Sequence, residues 1–294
     1  MQHSEPGEME QFIGKRYGTW SRLRRQRVAM ASLALIVLFI LAAILAPLLA
    51  PHDPNFGYTD GLTMDGSPLD SSARFLLGTD TTGRDVLSRL LFGARISLTV
   101  GILATLLQIT LGVALGAVSG YYGGWAETAI TRLIDIMLSF PVVLLGLTAA
   151  AVFNPSVLTT ILVIAATQWM YMARVVYGMV LSLKEWQFVE AARAVGVKDS
   201  RIVWRHILPH LSPIVIANST LGIGISILLE ATLSYLNAGV PQPTSSWGAM
   251  ISAGLTDYRQ DPALVLYPGL CLTVVVLAFT LVGDGLTKAM QARS

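Results

Sequence analysis

The sequence holds 294 residues, of which 53% are hydrophobic and 13% charged; a soluble domain carries about 25% charged residues, so much of this surface is expected to face lipid. A net charge of +2 gives no global basic field, which argues against nucleic acid as a partner. The one cysteine, Cys271, sits in an apolar run with no second cysteine to bridge, and it reads as a small buried hydrophobe.

The tail 1–27 is polar and closes on Arg22, Arg24, Arg25 and Arg27. A helix crosses a bilayer core with about 20 apolar residues, and residues 28–50 form an uncharged run of that length. A cleaved signal peptide has a shorter apolar core, and Pro47 and Pro51 crowd the cut site, so this run is expected to stay as the first span. Residues 84–92 read as a short amphipathic helix outside the membrane, capped by a threonine and stopped at Gly93. Val86, Leu87, Leu90 and Leu91 would rest on the membrane, with Arg84, Asp85 and Arg89 outward. Residues 96–120 form the second span. On it Gly112, Gly116 and Gly120 repeat every four residues, a flat face that lets another helix approach closely, more readily within the subunit than from a partner.

The next apolar stretch is broken at "FNPS", residues 153–156, and Asn-Pro is a turn signal. It gives span three at 128–152, with a kink expected at Pro141, and span four at 156–177. Residues 213–239 and 263–286 are spans five and six, and a short outer element is expected around Trp247 between them. The membrane domain is therefore 28–290, all-α. Two carboxylates fall inside spans and are expected to face protein or water, because charge at bilayer depth costs a few kcal/mol. Asp135 is expected to pair with Arg132 one turn earlier. Glu230 has no charged neighbour in sequence; it either lines a translocation path or its gate, or bonds to a partner subunit.

Basic residues orient the chain. Lys15, Arg16 and the four arginines of the tail, Lys184, Arg193, Lys198, Arg201 and Arg205 between spans four and five, and Lys288 and Arg293 at the end make thirteen. Arg74, Arg84, Arg89 and Arg259 on the other side make four. Both termini and the loop 178–212 are therefore expected in the cytoplasm. In that loop Phe188, Ala191, Ala192 and Val195 recur with helical spacing, Gly196 suits a left-handed cap, and Asp199 or Ser200 is placed to cap a second helix. Val203, Trp204, Ile207 and Leu208 would be its apolar face, with Pro209 and Pro213 ending it. The pattern fits a DNA-reading helix-turn-helix, but about thirty residues between two spans leave no room for the third helix such a module needs. A solvated connector or a docking element for a cytoplasmic protein stays open.

"EAARAVGVKDSRIVWRHILP", residues 190–209, resembles the EAA motif of membrane subunits of ABC importers, with Glu190, Ala191, Ala192, Gly196, Ile207, Leu208 and Pro209 filling its pattern and Arg193 inside it. "LLGTDTTGRDVLSRLLFGARISLTVG", "RLIDIMLSFP", "LLEATLSYLNAG" and "SSWGAMIS" resemble signatures of the dipeptide and oligopeptide importers, in particular their second permease. The resemblance runs over residues 28–286, and it departs at Asn237, where the family usually has glycine, and in the tail "GDGLTKAMQARS". It implies the six-helix type I importer permease fold, a bacterial inner-membrane location, and a coupling helix in the loop that sits on an ATPase subunit. It also implies a homologous second permease, two ATPase subunits, and an extracytoplasmic binding protein that meets outer elements such as Arg84, Asp85, Arg89 and Trp247. No GxxxxGK[ST] phosphate loop occurs, so ATP and Mg are expected on the partner ATPases and no cofactor on this chain. Nickel chelates, glutathione or sugars are alternatives to peptide cargo. A membrane enzyme is disfavoured, since HExxH and GxSxG are absent and Leu281 breaks a GxGD site at Asp284. An ATP-independent channel or sensor is the remaining alternative.

Overall fold

The computed structural model describes residues 19–291, so most of the expected tail, with Lys15 and Arg16, and the terminal Arg293 lie outside the described residues. The short α1 (Thr19–Arg25) leads into α2 (Arg27–Ile44), and Pro47 sits in the first turn of the one-turn α3 (Ala46–Leu49), where its missing N–H costs nothing. After an irregular segment come α4 (Val86–Tyr122), α5 (Gly124–Leu138), α6 (Val142–Val152) and α7 (Val157–Leu183). The chain then forms α8 (Gln187–Ala194), α9 (Asp199–Ile202), a π-turn over Val203–Ile207, α10 (Leu208–Tyr235), α11 (Trp247–Gly254) and α12 (Ala263–Gln291). Among the described residues there is no β-strand, only the isolated bridges Leu62–Pro68 and Thr79–Asp85. Five helices are long and apolar enough to cross a membrane, and the bent pair α5–α6 makes six if counted as one span.

Three expectations about helix ends are corrected. Residues 84–92 are not a separate helix: Asp85 caps and 86–92 open α4, which runs on for 37 residues through Gly93. Gly93 keeps helical backbone and earns its place by contact, since a Cβ there would lie 3.2 Å from Trp247 Cδ1. The stop comes at Gly123, where φ is +68°. Span three is more than kinked at Pro141, because α5 and α6 meet at 92°. Proline disfavours helical backbone in the residue before it, and Ser139 and Phe140 end the first helix.

Pro209 and Pro213 do not end the loop helix either. Asp199 to Tyr235 runs as one 37-residue apolar span, and the π-turn absorbs the break: the Leu208 N–H bonds back to Val203 O. A widened turn relieves the clash between a proline ring and the preceding turn. At 1.5 Å per residue such a rod is about 55 Å long, against a hydrocarbon core of about 30 Å, so its ends, like those of α4, project beyond the membrane.

The core divides by level. At one end Ile36, Val86, Leu90, Ile227, Trp247 and Phe279 pack together around the irregular segment and α11. At the other end Tyr121, Val180, Val189, Ile202, Ile207 and Leu211 join α4, α7 and the loop helices. Between them α4 lies along α7 in the most extensive helix contact of the fold. The glycine stripe makes it possible: a Cβ on Gly116 would lie 2.5 Å from Ala173 O, and one on Gly112 2.6 Å from Met172 Cβ. The stripe therefore serves a contact inside the chain. Leu38, Leu106, Leu158, Leu270 and Leu277 are exposed on the outside, a surface that suits lipid. Cys271 is partly buried against the α2–α12 core.

Candidate functional site

At the loop end the chain folds back into a helical hairpin held from inside. Val189 is fully buried, with Phe188, Ala192, Val197 and Leu208 partly buried beside it and Ile202, Val203, Ile207 and Leu211 beneath. This corrects the expected faces. Val195 is 83% exposed and Trp204 74% exposed, because the buried stripe is set by Val189 and Ile202 rather than by the register read from the sequence.

Gly196 takes φ +79°, its N–H bonds to Arg193 O at 2.9 Å, and the Val197 N–H reaches Ala192 O at 3.0 Å. These are the two bonds of a Schellman closure. Neither Asp199 nor Ser200 caps α9, whose first flanking residue is Lys198. Asp199 instead accepts from Tyr121 Oη at 2.6 Å. Arg193 lies 5.1 Å over the same Tyr121 ring, and Lys184 Nζ donates to Gly120 O at 3.1 Å, so polar contacts tie the hairpin to the end of α4. Of the motif residues, Ile207 and Leu208 point inward as the anchor. Glu190, Ala191, Arg193, Gly196 and Pro209 are exposed, next to Trp186, Val195 and Trp204.

Glu230 is fully buried inside this chain and takes its hydrogen bonds there. Ser97 Oγ donates to one carboxylate oxygen at 2.9 Å and Ser234 Oγ to the other at 2.7 Å. Ser97 Oγ in turn accepts the Trp247 N–H, and Ser234 Oγ the Val240 N–H. The carboxylate thus joins α4, α10, the turn after α10 and α11. Sequence could not show this, because Ser97 lies 133 residues away. Asp135 also takes an unexpected partner: it pairs with Arg174 of α7, across the α5–α7 contact, and not with Arg132.

At the opposite end the outward set is turned inward. Asp85 is buried and caps α4, accepting from Ser88 N at 2.9 Å and Ser88 Oγ at 2.5 Å. Arg89 is 1% exposed; its Nη1 donates to Pro54 O at 3.1 Å and its Nε faces Asp80 at 3.4 Å. A buried guanidinium needs such partners, and the irregular segment supplies both, Pro54 from 35 residues upstream. Arg84 shares Asp80 at 3.1 Å and reaches Gln242 at 3.3 Å. Trp247 is completely enclosed, its indole N–H on Leu90 O at 3.2 Å and its ring edge-on to Phe39. It is a structural pin of α11 and no part of an outer surface.

Sequence reasoning missed a groove of about 510 Å³ between α4, α6, α7 and α10. Its wall is mostly apolar, with Gln108, Gln168 and Asn218 among its lining residues. The signal was available: these are uncharged amides inside apolar spans, and polar side chains at that depth are costly enough to mark function.

Comparison with known proteins adds to this geometry. Residues 112–294 match the family described as binding-protein-dependent transport system inner membrane component, and residues 17–68 match the N-terminal TM domain of oligopeptide transport permease C. The chain is 38% identical over 274 residues to the dipeptide transport system permease protein DppC of Alkalihalophilus pseudofirmus, covering 93% of this chain and 88% of that protein. It is 37% identical to the glutathione transport system permease protein GsiD of Pectobacterium atrosepticum, over 93% and 90%. Among solved structures, a chain of the inward-facing MetNI methionine ABC transporter superposes with a TM-score of 0.56 at 17% identity, covering 68% of this chain and 95% of that one. That likeness shows the fold.

Proposed function

The chain belongs to the binding-protein-dependent transport system inner membrane component family, the permeases of ABC importers, and on that premise we propose that it carries peptide-type solutes as one half of a two-permease path driven by separate ATPases. Its place is the inner membrane, crossed several times. The proposed orientation puts both termini and the α8–α9 hairpin in the cytoplasm, following the excess of basic residues in the tail, the loop and the C-terminal end.

The observation that carries the reading is the hairpin. It is closed at Gly196 and anchored by a buried apolar core, yet it leaves Trp186, Val195 and Trp204 exposed beside Glu190 and Arg193. Large apolar groups ringed by charges are what a protein partner covers, and here that partner is an ATPase that would hold ATP and Mg. Closure of the ATPase pair pulls on the hairpin. Because α9 continues into α10, the pull travels along one rod to Glu230 and α11 at the other end. The permease pair thereby shifts between two states, each favoured by a different ligand. The binding protein would meet that opposite end, and the groove is this chain's wall of the path.

Peptide-type cargo is favoured because the dipeptide and glutathione permeases are both relatives over nearly the whole chain, and both named cargoes contain peptide-type amide bonds. Reconstitution of this chain with a second permease, two ATPases and a binding protein tests the reading. ATPase activity stimulated by peptide-loaded binding protein is expected. Solute movement by this chain alone, without ATP, would overturn it.

A further inference from the structure

The groove contains a recognition element of its own. Gln108 on α4 and Gln168 on α7 are 8% and 9% exposed, and Asn218 stands near them on α10. Gln108 Oε1 is buried with no hydrogen-bond partner, and an unmade hydrogen bond in a buried place is costly until something fills it. Asn218 spends its amide N–H on Ile214 O at 2.9 Å, which leaves its carbonyl as an acceptor. Space is held open beside them: a Cβ on Gly222 would lie 2.9 Å from Gln108 Nε2.

We propose that Gln108, Gln168 and Asn218 form a charge-neutral step in the groove that exchanges hydrogen bonds with the amide groups of a solute passing through. The inference rests on the transport reading and deepens it. A carboxamide offers both a donor and an acceptor, which matches the N–H and C=O of a peptide bond whatever side chains flank it. Among the described residues no Asp, Glu, Lys or Arg lines the groove, so a charged end of the solute finds no counter-ion there to hold it. Such a step favours amide-bearing solutes over shape-matched ones lacking the N–H, and binds weakly enough to release them.

The test uses the full reconstituted complex and compares uptake of a dipeptide with that of its ester isostere, in which oxygen replaces the peptide N–H. Because the binding protein is unchanged between variants, its own preference cancels when each ratio is divided by that of the unmutated complex. One hydrogen bond is worth roughly 3- to 10-fold, so Gln108→Leu is expected to lower the peptide-to-ester ratio by that factor. Asn218→Leu and Gly222→Ala, the latter crowding the Gln108 amide, are expected to lower it as well, and either serves if Gln108→Leu does not assemble. A ratio unchanged in assembled variants overturns the amide step while leaving the importer reading intact. Absence of ATP-dependent uptake in the unmutated complex overturns the importer reading, and the amide step falls with it.

Discussion

At Asn237 the backbone turns with φ 59°. Its N–H bonds to Ser234 O at 3.1 Å and the next, Ala238, to Leu233 O at 2.8 Å, so α10 closes with the same Schellman pattern as α8. This is the position where the resembled family usually has glycine, and asparagine is the side chain that tolerates left-handed backbone best after it. Asn237→Gly is expected to leave the thermal midpoint of the purified protein unchanged or slightly higher. Asn237→Val should destabilise by about 1–2 kcal/mol, lowering that midpoint. Glu230 gives a second prediction at this scale. Glu230→Gln keeps groups that reach both serines, and its yield and midpoint should stay near the starting protein's. Glu230→Leu leaves two buried hydroxyls without their acceptor, at about 1–3 kcal/mol each, and should lower both. Equal behaviour of the two variants would show that the carboxylate does not join the helices as the geometry implies. Neither the closure at Asn237 nor the serine pair around Glu230 can be read from the sequence, because each depends on what the chain brings alongside.

Among the elements, the α8–α9 hairpin and the α4–α7 pair are the most exposed to test. Gly196→Val forces a β-branched residue to φ +79°, and Val195→Glu places a charge on the exposed apolar patch. On the proposed reading both release the ATPase in co-purification while membrane insertion persists, and unchanged association in both would count decisively against docking there. Gly116→Leu drives a side chain into Ala173 O, 2.5 Å from the Cβ position. Overpacking of that kind costs about 3 kcal/mol, and the variant should accumulate poorly in the membrane. The glycine stripe was legible as a close-packing face, and so was the positive φ at Gly196, because both follow from the residue type. The faces of the hairpin were not legible. Val189 and Val195 are equally apolar, and only the underlying Val180, Ile202 and Leu211 decide which is buried.

For the whole molecule, long apolar runs made the spans readable, since hydropathy acts over twenty residues and needs no knowledge of neighbours. The prolines misled, because a π-turn lets α9 flow into α10, and so did Arg89, whose partners lie in a segment without regular structure. The three amides were legible as polar residues inside apolar spans, but the groove was not, because they come from three helices and line one space only in the fold. On the proposed function, force applied at the hairpin travels along the α9–α10 rod and opens a path for peptide-type solutes. The most direct test is ATP-dependent uptake of a labelled dipeptide into vesicles holding the full complex, with ATPase rate followed in parallel. Peptide-loaded binding protein is expected to raise both together, and Gly196→Val to abolish uptake. Uptake that persists without ATP, or that ignores the hairpin variant, would contradict that function.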